Sequence, residues 1–164
     1  MESRFKLNYA PHIGLTTPDN GLFVQHTGTD PVEQIKFIGD QGFRAIEDNF
    51  LQARPVEVQE RMAAELARRG MDIGCFVGTL VYDRPTFVSN SPDERERLLK
   101  ELHTTLEVAK RMNGKWITTL SGYQDLRLPR SYQLANMVEN LKWCAEVAER
   151  EDVTLLIESV NSQG

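Results

Sequence analysis

Apolar and β-branched residues concentrate in five short runs, at residues 5–9, 43–47, 71–77, 115–120 and 153–160. Each run has the length of a strand. Between them lie four stretches in which apolar positions recur every three or four residues, the spacing of one face of a helix. The predicted order is therefore strand and helix in strict alternation, opening and closing on a strand. Such alternation points to a parallel sheet with crossover helices. The stripe of the third helix runs through Leu98, Leu102, Leu106 and Ala109, and that of the fourth through Leu134, Met137, Val138, Leu141, Ala145 and Ala148. Both are expected to cover the sheet.

Helix boundaries are written in the sequence. Asp30-Pro31-Val32-Glu33 and Ser91-Pro92-Asp93-Glu94 each combine a capping side chain, proline at the first helical position and an acid to close the box. Gly42, Gly70 and Gly114 stand where the first three helices should end, since glycine takes the left-handed cap without steric cost. Connections from helix to strand are thus very short. Those from strand to helix are long, at residues 10–29, 78–90 and 121–130, with a shorter one at 48–54. In a parallel α/β protein the long loops gather beyond the carboxyl ends of the strands, where such folds place their chemistry. No GxGxxG follows the first strand and no GxxxxGK[ST] occurs, so a nucleotide-binding sheet gives way to a (β/α) barrel. No linker interrupts the chain, and a single domain over residues 1–164 is expected.

Composition narrows the function classes. With 19 basic and 24 acidic side chains the net charge is -5, the wrong sign for neutralising phosphates in a nonspecific nucleic-acid binder. No apolar run approaches the roughly 20 residues that span a bilayer, and Met1–Lys6 lacks the apolar core of a signal peptide. Cys75 and Cys144 stand alone, without a CxxC or Cys/His cluster, and read as buried small hydrophobes in a reducing cytoplasm. Trp116 and Trp143 read as core or interface anchors.

Candidate chemistry follows from position. Glu158 closes the continuous apolar run of the last strand; a carboxylate there is costly to desolvate unless a cation or donors meet it. Glu47 repeats the pattern on the second strand, with Asp48 and Asn49 after it. His12 and His26 fall in the first long loop, where an imidazole binds substrate or exchanges protons near neutral pH. Arg127, in the fourth loop with Tyr123, Asp125 and Arg130, suits paired hydrogen bonds to a substrate carboxylate or phosphate. His103 lies within the third helix and has no chemical assignment.

The segments Met137-Val138-Glu139-Asn140-Leu141-Lys142-Trp143 and Glu151-Asp152-Val153-Thr154-Leu155-Leu156-Ile157-Glu158-Ser159-Val160-Asn161 closely resemble hydroxypyruvate isomerases. These belong to the xylose-isomerase-like superfamily of sugar isomerases and epimerases. Gly42-Phe43-Arg44-Ala45-Ile46-Glu47 and Asn113-Gly114-Lys115-Trp116-Ile117 resemble its second and fourth strands. The resemblance implies a (β/α)8 TIM barrel, here a partial one of about four βα units plus a fifth strand. It also implies aldose–ketose isomerisation through an enediol(ate), hydroxypyruvate to tartronate semialdehyde. Glu158 then corresponds to a glutamate that binds Mg²⁺ or Mn²⁺ and takes part in proton transfer, with His12, Glu47 and Arg127 as substrate-binding candidates. Two departures stand out: Ser159 replaces the proline that usually follows that glutamate, and Cys75-Phe76-Val77 lacks a histidine often found there. A ketose 3-epimerase or sugar-phosphate isomerase of the same superfamily is the alternative enzyme. Its DNA-repair endonucleases, with histidine-rich zinc sites, match poorly. A third alternative is a non-catalytic half-barrel acting by association, in which copies cover edge strands otherwise left open. Taken alone, the 164 residues are expected to be inactive or nearly so.

Overall fold

The computed structural model describes Leu7, residues 9–78 and residues 84–158. The chain forms two compact units, one of Met1–Val77 with Val108–Trp116, the other of Gly78–Glu107 with Ile117–Gly164.

In the first unit, β1 (His12–Gly14), β2 (Ala45–Asp48) and β3 (Asp72–Ile73) form a parallel sheet in that order. Helices α2 (Pro31–Asp40) and α3 (Val56–Arg69) are its crossovers, and a short α1 (Val24–Thr27) precedes them. Strands and helices share a core in which Ile13, Ile35, Ile38, Ile46, Leu51 and Met62 are fully buried. At roughly 1.5–3 kcal/mol for each large side chain, these aliphatics dominate the unit's stability. The first helix starts as its sequence demands: the Asp30 side chain accepts from the Val32 N–H at 2.8 Å, with Pro31 behind it. Glu33 does not turn back to the cap; it pairs with Lys36 at 2.6 Å. Gly70 takes the left-handed cap of α3 at φ +62°. After α4 (Pro92–Met112), however, the left-handed residue is Asn113 at φ +54°. Gly114 serves packing instead, because a Cβ there would lie 3.2 Å from the Phe76 ring.

Two strand predictions need correction. The strand expected at residues 5–9 falls mostly outside the described residues. The first strand of the sheet is His12–Gly14, inside the stretch expected to be loop. Its three residues are too few for alternation to register. The strand expected at 71–77 is two pieces, β3 and β4 (Phe76–Val77), with Gly74 between them. There the backbone turns close against β2, the Gly74 N–H donating to the Ile46 carbonyl at 2.7 Å. Cys75 therefore lies between strands, half-buried.

In the second unit β5 (Trp116–Leu120, from Ile117 onward) and β6 (Thr154–Glu158) are sheet neighbours, and α5 (Arg130–Glu149) packs on β6. Leu98, Leu102 and Leu106 of α4 are buried, as their stripe predicts, and so is Ala109. The stripe drawn on α5 holds at Ala148, which is buried, and in part at the half-buried Met137 and Leu141, but fails at its other positions. Leu134 and Val138 are exposed, as is Ala145, while Asn140, Cys144 and Ala148 form the buried face. Asn140 belongs inside because its amide is satisfied there. It donates to the Phe87 and Ser89 carbonyls, both at 2.8 Å, and accepts from Arg95 Nε at 3.0 Å. A polar residue at the centre of the buried face shifts the apparent apolar stripe by part of a turn. Cys144 is buried, which pushes its thiol up to about 11 and leaves it unreactive.

Candidate functional site

Two of the four candidate side chains are brought together by the first sheet. His12 and Glu47 are register partners across the parallel β1–β2 pair. Both are half-buried, whereas Ile13 and Ile46 beside them are fully buried. Side chains alternate across a strand and partners share a face, so His12 and Glu47 present to the face opposite the helix-packed core. The Glu47 N–H donates to the Pro11 carbonyl at 3.0 Å, fixing this register.

Immediately beyond it, His12 pairs with Glu47 but Gly14 with Asp48, two residues on β1 against one on β2. The register shift leaves one extra residue on β1, which re-aims the side chains at the end of the strand. His12 Nδ1 is buried and has no hydrogen-bond partner among the described residues. A buried imidazole nitrogen without a partner forfeits a hydrogen bond it would make in water, and a bound hydroxyl or carboxylate would restore it.

Asp48 follows on the opposite face, fully buried, its carboxylate bound by Arg54 Nε and by the Phe50 N–H at 3.1 Å. Burial pushes its carboxyl above the usual carboxylate range, against the opposing pull of the Arg54 guanidinium. Gly14 is required beside it, since a Cβ would come within 2.7 Å of Asp48 Oδ1. The sequence places an acid at this position without indicating that it is buried. The signal lies six residues on, in an arginine beside a 3-10 turn (Leu51–Ala53) that brings it back.

The remaining candidates lie in the second unit. Arg127 grips its neighbour Asp125 with Nε and Nη2, both at 2.9 Å, and is otherwise 86% exposed. That grip holds the Asp125 carboxyl below its usual range. Glu158 ends β6 and is exposed; Ser159 lies outside the described residues. Of the other histidines, His26 stacks on Phe37 at 5.3 Å between ring centres, and His103 is exposed on α4. Trp116 is 45% exposed, so it is no core anchor. Among the described residues no three His, Cys, Asp or Glu side chains gather to hold a metal ion. Glu158 with its described surroundings therefore does not amount to a metal centre.

The sequence profile of the xylose isomerase-like TIM barrel family matches residues 35–164. The chain belongs to that family. Solved structures agree on the fold. The family 2 AP endonuclease of Brucella melitensis superposes with a TM-score of 0.70 at 16% identity, over 95% of this chain and 56% of its own. The D-psicose 3-epimerase of Clostridium cellulolyticum H10 gives 0.65 at 17% identity, over 82% and 48%. The 3-keto-D-glucoside 4-epimerase of E. coli gives 0.65 at 20%, over 95% and 57%. The chain thus spans about half the length of these xylose isomerase-like barrels, and it shows the fold as part of the barrel. No curated protein sequence matches it. Among the described residues no helix is long and apolar enough to cross a membrane.

Proposed function

We propose that this chain carries part of the site of a sugar isomerase or epimerase working through an enediol(ate), with hydroxypyruvate as the favoured substrate. The observation that carries the reading is the facing pair His12 and Glu47, with a buried Nδ1 that has no partner among the described residues. A small hydroxy-carbonyl compound offers hydroxyl and carboxylate groups of the size and polarity such a pair recognises. His12 and Glu47 are assigned to substrate binding. Arg127 is assigned to a substrate carboxylate, through what its grip on Asp125 leaves exposed.

Glu158 is assigned to proton transfer: a carboxylate removes the proton beside the carbonyl and returns it to the neighbouring carbon. One proton passes from carbon to carbon and a second from the hydroxyl oxygen to the former carbonyl oxygen, and nothing else is consumed. Mg²⁺ or Mn²⁺ on Glu158 belongs to the same reading by family resemblance. Among the described residues too few ligands gather to hold it. On this basis the 164-residue chain should bind Mn²⁺ without micromolar, stoichiometric affinity and turn over little substrate. The acidic net charge leaves nucleic acid out of the proposal.

A ketose 3-epimerase is the second reading, favoured by the 3-epimerases among the solved structures of the same fold. Titration calorimetry with hydroxypyruvate and with D-fructose separates the two. Saturable heat with hydroxypyruvate, weakened in His12→Asn and Glu47→Gln, is expected. Heat with the ketohexose alone would replace the first reading with the second. No heat with either would overturn both and leave a non-catalytic half-barrel.

A further inference from the structure

The loop that follows β1, residues 15–20, is exposed throughout, so no apolar core of its own holds it. It is nonetheless tied at three places. Asn49 Nδ2 donates to the Leu15 carbonyl at 3.2 Å, and the Asn49 N–H to the Gly14 carbonyl at 3.0 Å. Arg54 Nη2 donates to the Pro18 carbonyl at 3.0 Å. At the far end the Leu22 N–H returns to the His12 carbonyl at 2.9 Å. Inside the loop, the Leu15 N–H reaches the Asn20 carbonyl at 3.3 Å and Asn20 Nδ2 reaches Thr16 Oγ1 at 2.7 Å.

We infer that Arg54 is a positioning residue: clamped on the buried Asp48 carboxylate, it fixes by its tip the 15–20 loop that leaves β1 just after His12, and so holds the backbone beside the His12–Glu47 pair. This rests on the functional reading above only for the identity of what the His12–Glu47 pair binds.

The geometry fits arginine and no other cation. A planar guanidinium presents Nε and Nη2 in fixed directions, one to Asp48 and one to Pro18, whereas an ammonium is a single point of charge on a flexible stem. The side chain of Arg54 is itself only 8% exposed and that of Asp48 is fully buried. The loop tip is therefore anchored to a rigid part of the unit, the end of β2, which also carries Glu47. Loop and candidate pair thus share one support. An exposed loop of this length, left to its own few hydrogen bonds, would open readily.

Hydrogen exchange on the full chain tests the anchor directly, and calorimetry with hydroxypyruvate tests its consequence. Arg54→Lys keeps a cation against Asp48 but loses the second, directed donor. The Leu15 and Asn20 amides should exchange at least tenfold faster in that variant, with α3 amides unchanged and affinity for hydroxypyruvate reduced about fivefold. Asn49→Ala, which leaves the buried pair intact, should give a smaller loss of protection at Leu15, and it serves if Arg54→Lys fails to fold. Unchanged loop exchange in both variants, or protection lost equally throughout the unit, would overturn the inference. So would faster loop exchange with undiminished affinity. If the unaltered chain binds no hydroxypyruvate, the substrate reading falls, and the exchange data still decide whether Arg54 anchors the loop.

Discussion

The carboxyl ends of β2 and β6 begin from similar sequences, an apolar run closing on a glutamate, and end differently. At β2 the glutamate faces a histidine in register, the next residue is a buried acid clamped by arginine, and the adjoining loop is tied down. At β6 the glutamate is exposed, and the arginine of the second unit's loop spends its fork on an aspartate two residues away. Among the described residues the β2 glutamate faces a partner in register, while Glu158 is the exposed end of its strand. The difference lies in local chemistry: buried ion pairs need fixed geometry to offset desolvation, while exposed pairs fix very little.

That contrast can be broken most forcefully at Asp48. Asp48→Ala leaves Arg54 buried without its partner and should lower stability by about 3–5 kcal/mol, read by urea denaturation. A loss below about 1 kcal/mol would show the pair to be an ordinary surface contact. By the same method Arg127→Ala should leave stability unchanged, since that side chain is exposed.

Asn140 comes next. Asn140→Ala removes three hydrogen bonds and leaves buried carbonyls unpaired, a loss of about 2–3 kcal/mol. Leu134→Ala, on the helix face the apolar stripe favours, should stay within about 0.5 kcal/mol. If Leu134 proves the costlier of the two, the buried face of α5 has been misassigned.

The smallest effect is in acid. Arg68, with Arg69 beside it, holds Glu65 down to about 2 from 4.5. Its folded value lies below its unfolded one, so its contribution is present above about pH 4.5 and is lost as pH falls towards 2. Glu65→Gln should cost about 1–2 kcal/mol at neutral pH and flatten stability over that acid range. An unchanged acid profile would assign the acid sensitivity to other carboxylates.

The alternation of strands and helices, the proline-led start of α2 and the glycine end of α3 were legible in sequence because each rests on local steric preference. What was not legible rests on distant partners. His12 reads as a loop residue because a three-residue strand has no period of its own; only pairing with β2 makes it a strand. Asn140 looks like surface until the Phe87 and Ser89 carbonyls are seen to need it. Glu47 could be named from its place at a strand end, but the facing His12 and the buried Asp48–Arg54 clamp come from register and a returning turn. Gly114 was read for conformational freedom, and it supplies room for an aromatic ring.

The most direct measurement follows the ring nitrogens of His12 by ¹⁵N NMR while hydroxypyruvate is added to the chain. A saturable shift of Nδ1, weakened by Glu47→Gln, is the expected result. Ring resonances that stay fixed to saturating concentrations of both hydroxypyruvate and D-fructose would mean that the facing histidine and glutamate bind no substrate of this kind.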